Sequence, residues 1–205
     1  MSTALPLGPS RSPFDSLVLA DLLPRPVALS RTAVDTLLVL TGTLVVTVLA
    51  QVAVPLPFTP VPISLATLGV LLTGAALGTT RGSLSVALYV LVGMLGAPVY
   101  GDGGSGWAFA SFGYILAYLP AAALAGHLAR RGQDKTPLRS VGLVLLASVV
   151  VYAGGVPWLM AFLDVDLATA LRLGVAPFLV GDTVKALLIA GILPTTWALV
   201  RRARR

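Results

Sequence analysis

The stretch Val180–Val200, VGDTVKALLIAGILPTTWALV, is apolar almost throughout, yet Asp182 and Lys185 stand near its start. About 20 apolar residues in a helix cross a bilayer, so this stretch reads as a membrane span holding an acid and an amine. The two are three residues apart, which puts them on one helix face, within reach of each other and of a shared ligand. Two readings fit the pair. In one, Asp182 caps the helix, where the macrodipole favours an acid, and Lys185 snorkels outward as its partner. In the other, both face the bundle interior and offer a polar solute an acceptor beside a donor. A neutral ligand carrying both N–H and C=O groups, such as a cyclic urea, suits that second arrangement.

The rest of the chain supports a membrane location. Of 205 residues, 57% are hydrophobic and 11% are charged, against about 25% charged in a soluble domain. The acids are eight aspartates with no glutamate, and there is no cysteine, which excludes disulfides and thiolate metal sites. A window of about 19 residues picks out six spans, at Thr32–Val54, Ile63–Gly78, Gly82–Ala97, Trp107–Ala129, Val141–Leu163 and Ala176–Val200. The fold class expected is all-α, a polytopic membrane protein. Residues 1–31 form a retained tail without the features of a cleavable signal, residues 32–200 the membrane domain, and residues 201–205 a basic tail. FDSLVLADLL (Phe14–Leu23) has the pattern of a short surface helix, with a loosely ordered tail as the alternative.

Charge sets the orientation. With the N-terminus inside, twelve of fourteen basic residues are cytoplasmic, among them Arg31, Arg81, Arg130, Arg131, Lys135, Arg139, Arg201 and Arg202. Arg172 falls outside and Lys185 within a span, while the outer loops hold Asp102, Asp164 and Asp166. That split fits six spans with both termini cytoplasmic. It also accounts for the net charge of +6 without nucleic acid, since no basic patch is interleaved with stacking aromatics.

Two further elements lie at the outer face with the start of the last span. GAPVYGDGGSGWAFASFGY (Gly96–Tyr114) carries four glycines between Gly101 and Gly106, which let the backbone turn tightly and approach a solute. Asp102, Gly103, Gly104 and Ser105 are candidate contacts there. Trp107 and Tyr114 are candidate covers for a ligand's apolar part, or interfacial belt residues. PFTPVPISLATLGVLLTG (Pro57–Gly74) reads as a proline-stiffened outer loop leading into a helix, with Thr67 one turn inside. Tyr89 in the third span completes the candidate set. The small residues of GVLLTGAALG (Gly69–Gly78) suit close helix packing.

An enzyme is poorly supported. The single histidine, His127, sits at a cytoplasmic helix end beside Arg130 and Arg131, far from the outer elements. One histidine with scattered aspartates makes no metal site, and no catalytic residue or cofactor is assigned. No GxxxxGK[ST] phosphate loop occurs in the chain, so it carries no such motif for ATP.

Taken in order, VPISLATLGVLLTGAALGTTRGSLSVALYVLVGMLGAPVY (Val61–Tyr100), the glycine-rich loop ending in Gly113-Tyr114, and PFLVGDTVKALL (Pro177–Leu188) resemble BioY, the biotin-specific substrate-binding (S) subunits of energy-coupling factor (ECF) vitamin transporters. The resemblance covers roughly residues 32–200 and implies a multi-pass protein of the cell membrane with six helices and both termini cytoplasmic. It implies biotin as the transported ligand, with Asp182 and Lys185 meeting its fused-ring head. It also implies partners in the bilayer: a transmembrane coupling subunit and two ATPase subunits, with the S subunit toppling to carry its site across. The chain departs from the family pattern in the loop, where SFGY (Ser111–Tyr114) replaces a longer run, Gly104 stands where a polar side chain is expected with Asp102 or Ser105 nearby, and Ala66 replaces a frequent glutamine. An S subunit for another vitamin, and a membrane scaffold that uses Asp182–Lys185 as a structural pair, are the alternatives. A coupling contact is expected on the small-residue surface of Leu40–Val52.

Overall fold

A computed structural model describes residues 16–23 and 29–203. The chain is mostly helical, and the helices run in order α1 (Arg31–Gln51), α2 (Ala66–Leu77), α3 (Thr79–Met94), α4 (Phe112–Arg130), α5 (Pro137–Leu163), α6 (Leu167–Gly174) and α7 (Phe178–Ala203). Between α1 and α2 lies an antiparallel hairpin, β1 (Ala53–Leu56) and β2 (Thr59–Ser64). Four helices, α1, α4, α5 and α7, are long and apolar enough to cross a membrane. Their outward faces are Leu and Val: Leu40, Leu44 and Val48 on α1, Leu145 and Val149 on α5, Leu187 and Leu199 on α7. A water-soluble bundle would put polar residues there; lipid makes the same surface favourable.

α2 is the central helix, mostly buried between α1 and α4. Close approach is possible because glycines stand at the crossings. A Cβ on Gly74 would lie 2.5 Å from the Ala122 carbonyl oxygen, and one on Gly126 would lie 2.4 Å from the Thr79 nitrogen. The small residues of Gly69–Gly78 therefore serve helix packing, as in other lipid-embedded bundles. α4 also packs on α5 and α3, and α5 carries α7.

Three local differences from the sequence-based expectations have physical causes. The expected second span begins at Ile63, but α2 starts only at Ala66, because Ile63 and Ser64 belong to β2. The expected outer loop there is the hairpin, with Ala53 opposite Ser64 and Leu56 opposite Thr59, and a register shift at Pro55. Prolines argue against a central strand, but both strands of an isolated hairpin have a free edge, where a missing N–H costs nothing. α4 starts at Phe112 rather than Trp107, after an irregular glycine-containing stretch. The expected outer loop after the fifth span contains α6, capped by the Asp166 carboxylate, which accepts from Thr169 N at 3.0 Å. Thr169, through its hydroxyl first and its backbone N–H second, holds the exposed Asp166 carboxyl below the usual carboxylate range.

The small-residue surface expected on α1 is also arranged differently. Gly42 and Ala50 are buried, with Gly42 against Ser85 and Thr73, so the outward face is the Leu/Val one. Before α1, Leu19–Leu22 makes one 3-10 turn. Val18 is buried, and Asp21 pairs with Arg81 at 3.2 Å and Arg130 at 3.3 Å. This described part of Phe14–Leu23 therefore lies against the bundle; Phe14 and Asp15 lie outside the described residues.

Charges sort to the two ends of the bundle. Arg81, Arg130, Arg131, Arg139, Arg201 and Arg202 stand where α2–α3, α4–α5 and the end of α7 meet, with His127 exposed among them. The hairpin, the glycine-rich loop, α6 and the start of α7 share the opposite end.

Candidate binding site

At that opposite end the elements enclose a cavity of about 470 Å³, within the range of small-molecule sites. Its walls come from seven places. The hairpin contributes Thr59, Pro60 and Ser64; α2 contributes Thr67; α3 contributes Tyr89; the loop contributes Tyr100, Asp102, Gly104 and Ser105. α4 adds Tyr114, Ile115 and Tyr118, α5 adds Ser148, Val151 and Tyr152, and α7 adds Phe178, Asp182 and Lys185.

Asp182 and Lys185 lie in the second turn of α7, and both side chains face this cavity rather than lipid. Lys185 is buried, with its side chain 7% exposed. Its Nζ donates to Asp182 Oδ1 at 3.2 Å, and the Tyr152 hydroxyl donates to Asp182 Oδ2. Both oxygens of the acid are thus held, the group is charge-balanced, and spare lone pairs on the carboxylate and donors on the ammonium remain directed to a solute. A buried pair with such partners costs far less than either charge alone in the bilayer.

The other wall is aromatic. Tyr114 is wedged between α5 and α6: a Cβ on Gly155 would lie 2.3 Å from its ring, and its hydroxyl donates to the Gly174 carbonyl at 2.9 Å. Tyr118 is buried and lines the cavity together with Thr67 and Ser64. Tyr100 stands edge-on to Tyr89, ring centroids 5.3 Å apart, and its hydroxyl donates to the Val90 carbonyl at 2.7 Å. Burial pushes the Tyr100 phenol up to about 12, so it stays a neutral donor. Gly93 makes room for this ring, since a Cβ there would come within 2.2 Å of it.

The loop is shaped by positive φ angles at Asp102 (57°), Gly103 (68°) and Gly106 (82°). An aspartate tolerates the left-handed region better than most side chains. Gly104 N donates to Gly101 O at 3.2 Å, and Tyr100 N donates to Gly104 O at 3.0 Å, closing a tight turn over the cavity.

Eight of the candidate residues therefore meet at one cavity: Thr67, Tyr89, Asp102, Gly104, Ser105, Tyr114, Asp182 and Lys185. Gly103 and Trp107 do not line it. Gly103 shapes the turn, and Trp107 is 59% exposed, as an interfacial residue would be. Sequence reading missed Tyr100, Tyr118 and Tyr152, though Tyr152 is the residue that fixes Asp182. Its signal was a lone tyrosine among the apolar residues of the fifth span, which by itself has no direction. Among the described residues there is no group of histidines and acids suited to a metal ion.

Apolar outward faces, a charge-sorted bundle and a polar, aromatic cavity at one end define a multi-pass membrane protein with a small-molecule site. The chain belongs to the BioY family: the family model matches residues 24–202. It is 34% identical over 166 residues to the biotin transporter BioY of Rhodobacter capsulatus, covering 73% of this chain and 84% of that protein. It is 36% identical over 140 residues to the probable biotin transporter BioY of Pyrococcus horikoshii, covering 67% and 80%. Its fold is similar to the crystal structure of the S-component for biotin from an ECF-type ABC transporter, with a TM-score of 0.71 and 25% identity over 86% of this chain and 95% of that one.

Proposed function

We propose that the chain captures biotin and takes part in its uptake as the S component of an ECF transporter. The observation that carries this reading is the cavity in which Asp182, Lys185 and Tyr152 converge beneath the glycine-rich loop. The relatives named as biotin transporters supply the ligand's identity. The chain is a transport component and not an enzyme.

Biotin's ureido ring presents N–H donors and one carbonyl. Asp182 accepts from an N–H, Lys185 donates to the carbonyl, and Tyr152 holds the acid in place. Charge-assisted bonds of this kind contribute roughly 1.5–3 kcal/mol each when buried. Tyr89, Tyr114 and Tyr118 give the fused ring an apolar wall, with the hairpin and the loop as the cover.

In the membrane of the cell, six of the helices span the bilayer with both termini cytoplasmic, over residues 32–200. The sorting of Arg and Lys to the end opposite the cavity supports this orientation. α2, with 12 residues, is too short to span alone at 1.5 Å per residue. The hairpin completes its path, and part of its irregular backbone lines the cavity, a place where a bilayer tolerates it. Energy comes from partners: a transmembrane coupling subunit and two ATPases.

Labelled biotin should bind the purified full-length chain and be displaced by unlabelled biotin but not by other vitamins. Displacement by a different vitamin would reassign the ligand. Absence of any binding to folded protein would remove the transport reading. Co-purification with an ATPase pair on co-expression checks the coupling.

A further inference from the structure

We infer that the site spends its one cation on the ureido head and accepts biotin whose carboxyl is capped as an amide, including biotin joined to the side-chain nitrogen of lysine. This rests on the biotin reading above and extends it to a class of ligands.

The inference comes from where the charges of the cavity stand. Among the described residues that line it, Lys185 is the one cation. That ammonium bonds Asp182, whose other oxygen is taken by Tyr152. The group is balanced as it is, and a ligand carboxylate drawn onto Lys185 would leave an extra negative charge in a buried site. Arg172, the other basic residue at this end among those described, bonds Thr169 on its own helix at 3.2 Å and is not part of the lining.

With the head at Asp182 and Lys185, the side chain of biotin extends toward the loop and hairpin. The lining there includes Asp102 and Ser105 on the loop and Pro55 and Pro60 on the hairpin, all exposed. A carboxylate arriving there meets the like charge of Asp102. An amide does not. Its carbonyl takes the same bond from a neutral donor such as the Ser105 hydroxyl, and its N–H gives Asp102 a donor. Exposure of this rim leaves a path to water for whatever the amide nitrogen carries. Ligands of this class arise when biotin-bearing proteins are hydrolysed.

The test is displacement of labelled biotin from the purified full chain by biotin, biotin methylamide and Nε-biotinyl-lysine, in wild type and in Asp102→Asn. Both amides should bind the wild type no more than threefold weaker than the acid. In Asp102→Asn, the ratio of amide to acid affinity should fall about two- to fivefold, the size of an exposed charge effect, and the difference should shrink in high salt. Amides more than threefold weaker than the acid, or an unchanged ratio in Asp102→Asn, overturn the inference while leaving biotin capture intact. Binding of neither acid nor amide overturns the biotin reading and this inference with it.

Discussion

Replacing Asp182 by Asn tests whether the acid–amine pair is both a structural necessity and the ligand's grip. At 3.2 Å two unit charges attract by roughly 5 kcal/mol at an effective dielectric of about 20. Removing one partner leaves Lys185, buried and charged, with a weaker acceptor. Breaking such a pair costs about 3–5 kcal/mol, whereas removing both charges costs much less. Asp182→Asn should therefore be clearly destabilised, and Asp182→Asn/Lys185→Met should recover much of the loss. Binding should behave differently. A bond to a charged group contributes about 1.5–3 kcal/mol, so Asp182→Asn should weaken biotin by roughly 10- to 150-fold, and the double variant should bind no better. Thermal unfolding in detergent followed by circular dichroism reads the first quantity, and labelled-biotin titration the second. If the double variant is no more stable than the single one, the pair is not the buried unit described. If Asp182→Asn binds biotin normally, the acid does not touch the ligand.

Gly155→Ala places a methyl group 2.3 Å from the Tyr114 ring, so the ring must move and its bond to the Gly174 carbonyl must break or bend. A loss of about 1–3 kcal/mol, as for other overpacked cores, should accompany weaker biotin binding; an unshifted melting temperature would show that the wedge is slack. Asp134, which lies between two spans and not within one, offers a pH test. Its carboxyl is buried in the α4–α5 loop and accepts from Trp197 Nε1 at 2.6 Å, and burial raises its pKa above the usual value despite that bond and nearby Lys135 and Arg201. A group with a raised folded-state pKa binds its proton more readily in the folded state than in the unfolded one. Its contribution therefore favours folding at low pH and is lost as pH rises through the folded pKa. Acidification from neutrality toward about pH 4 should raise the melting temperature of the wild type relative to Asp134→Asn, and a difference that stays flat or falls contradicts the assignment.

The long apolar helices α1, α4, α5 and α7 were legible because a bilayer demands about 20 apolar residues in a row, whatever their neighbours. The hairpin was not. Four prolines in Ala53–Ser64 read as a stiff loop, and only its pairing geometry reveals strands with free edges. α6 left a usable signal, Asp166 as cap followed by Leu167, Ala170, Leu171 and Gly174 at helical spacing. At 8 residues it is too short to rise above the length threshold that picks out spans.

The sequence by itself determined the membrane class, the sorting of charge to one end, and the presence of an acid and an amine on one face of the last helix. These depend on hydropathy, on charge counts and on the 3.6-residue turn, all of which are local. Only the tertiary structure decided that the pair faces a cavity, that Tyr152 from α5 locks Asp182, that Tyr114 is wedged at Gly155, and that Trp107 is left outside. Each of these is a meeting of residues far apart in the chain. Whether a side chain on an apolar helix faces lipid or a neighbour depends on which helices pack beside it, and no stretch of sequence contains that information.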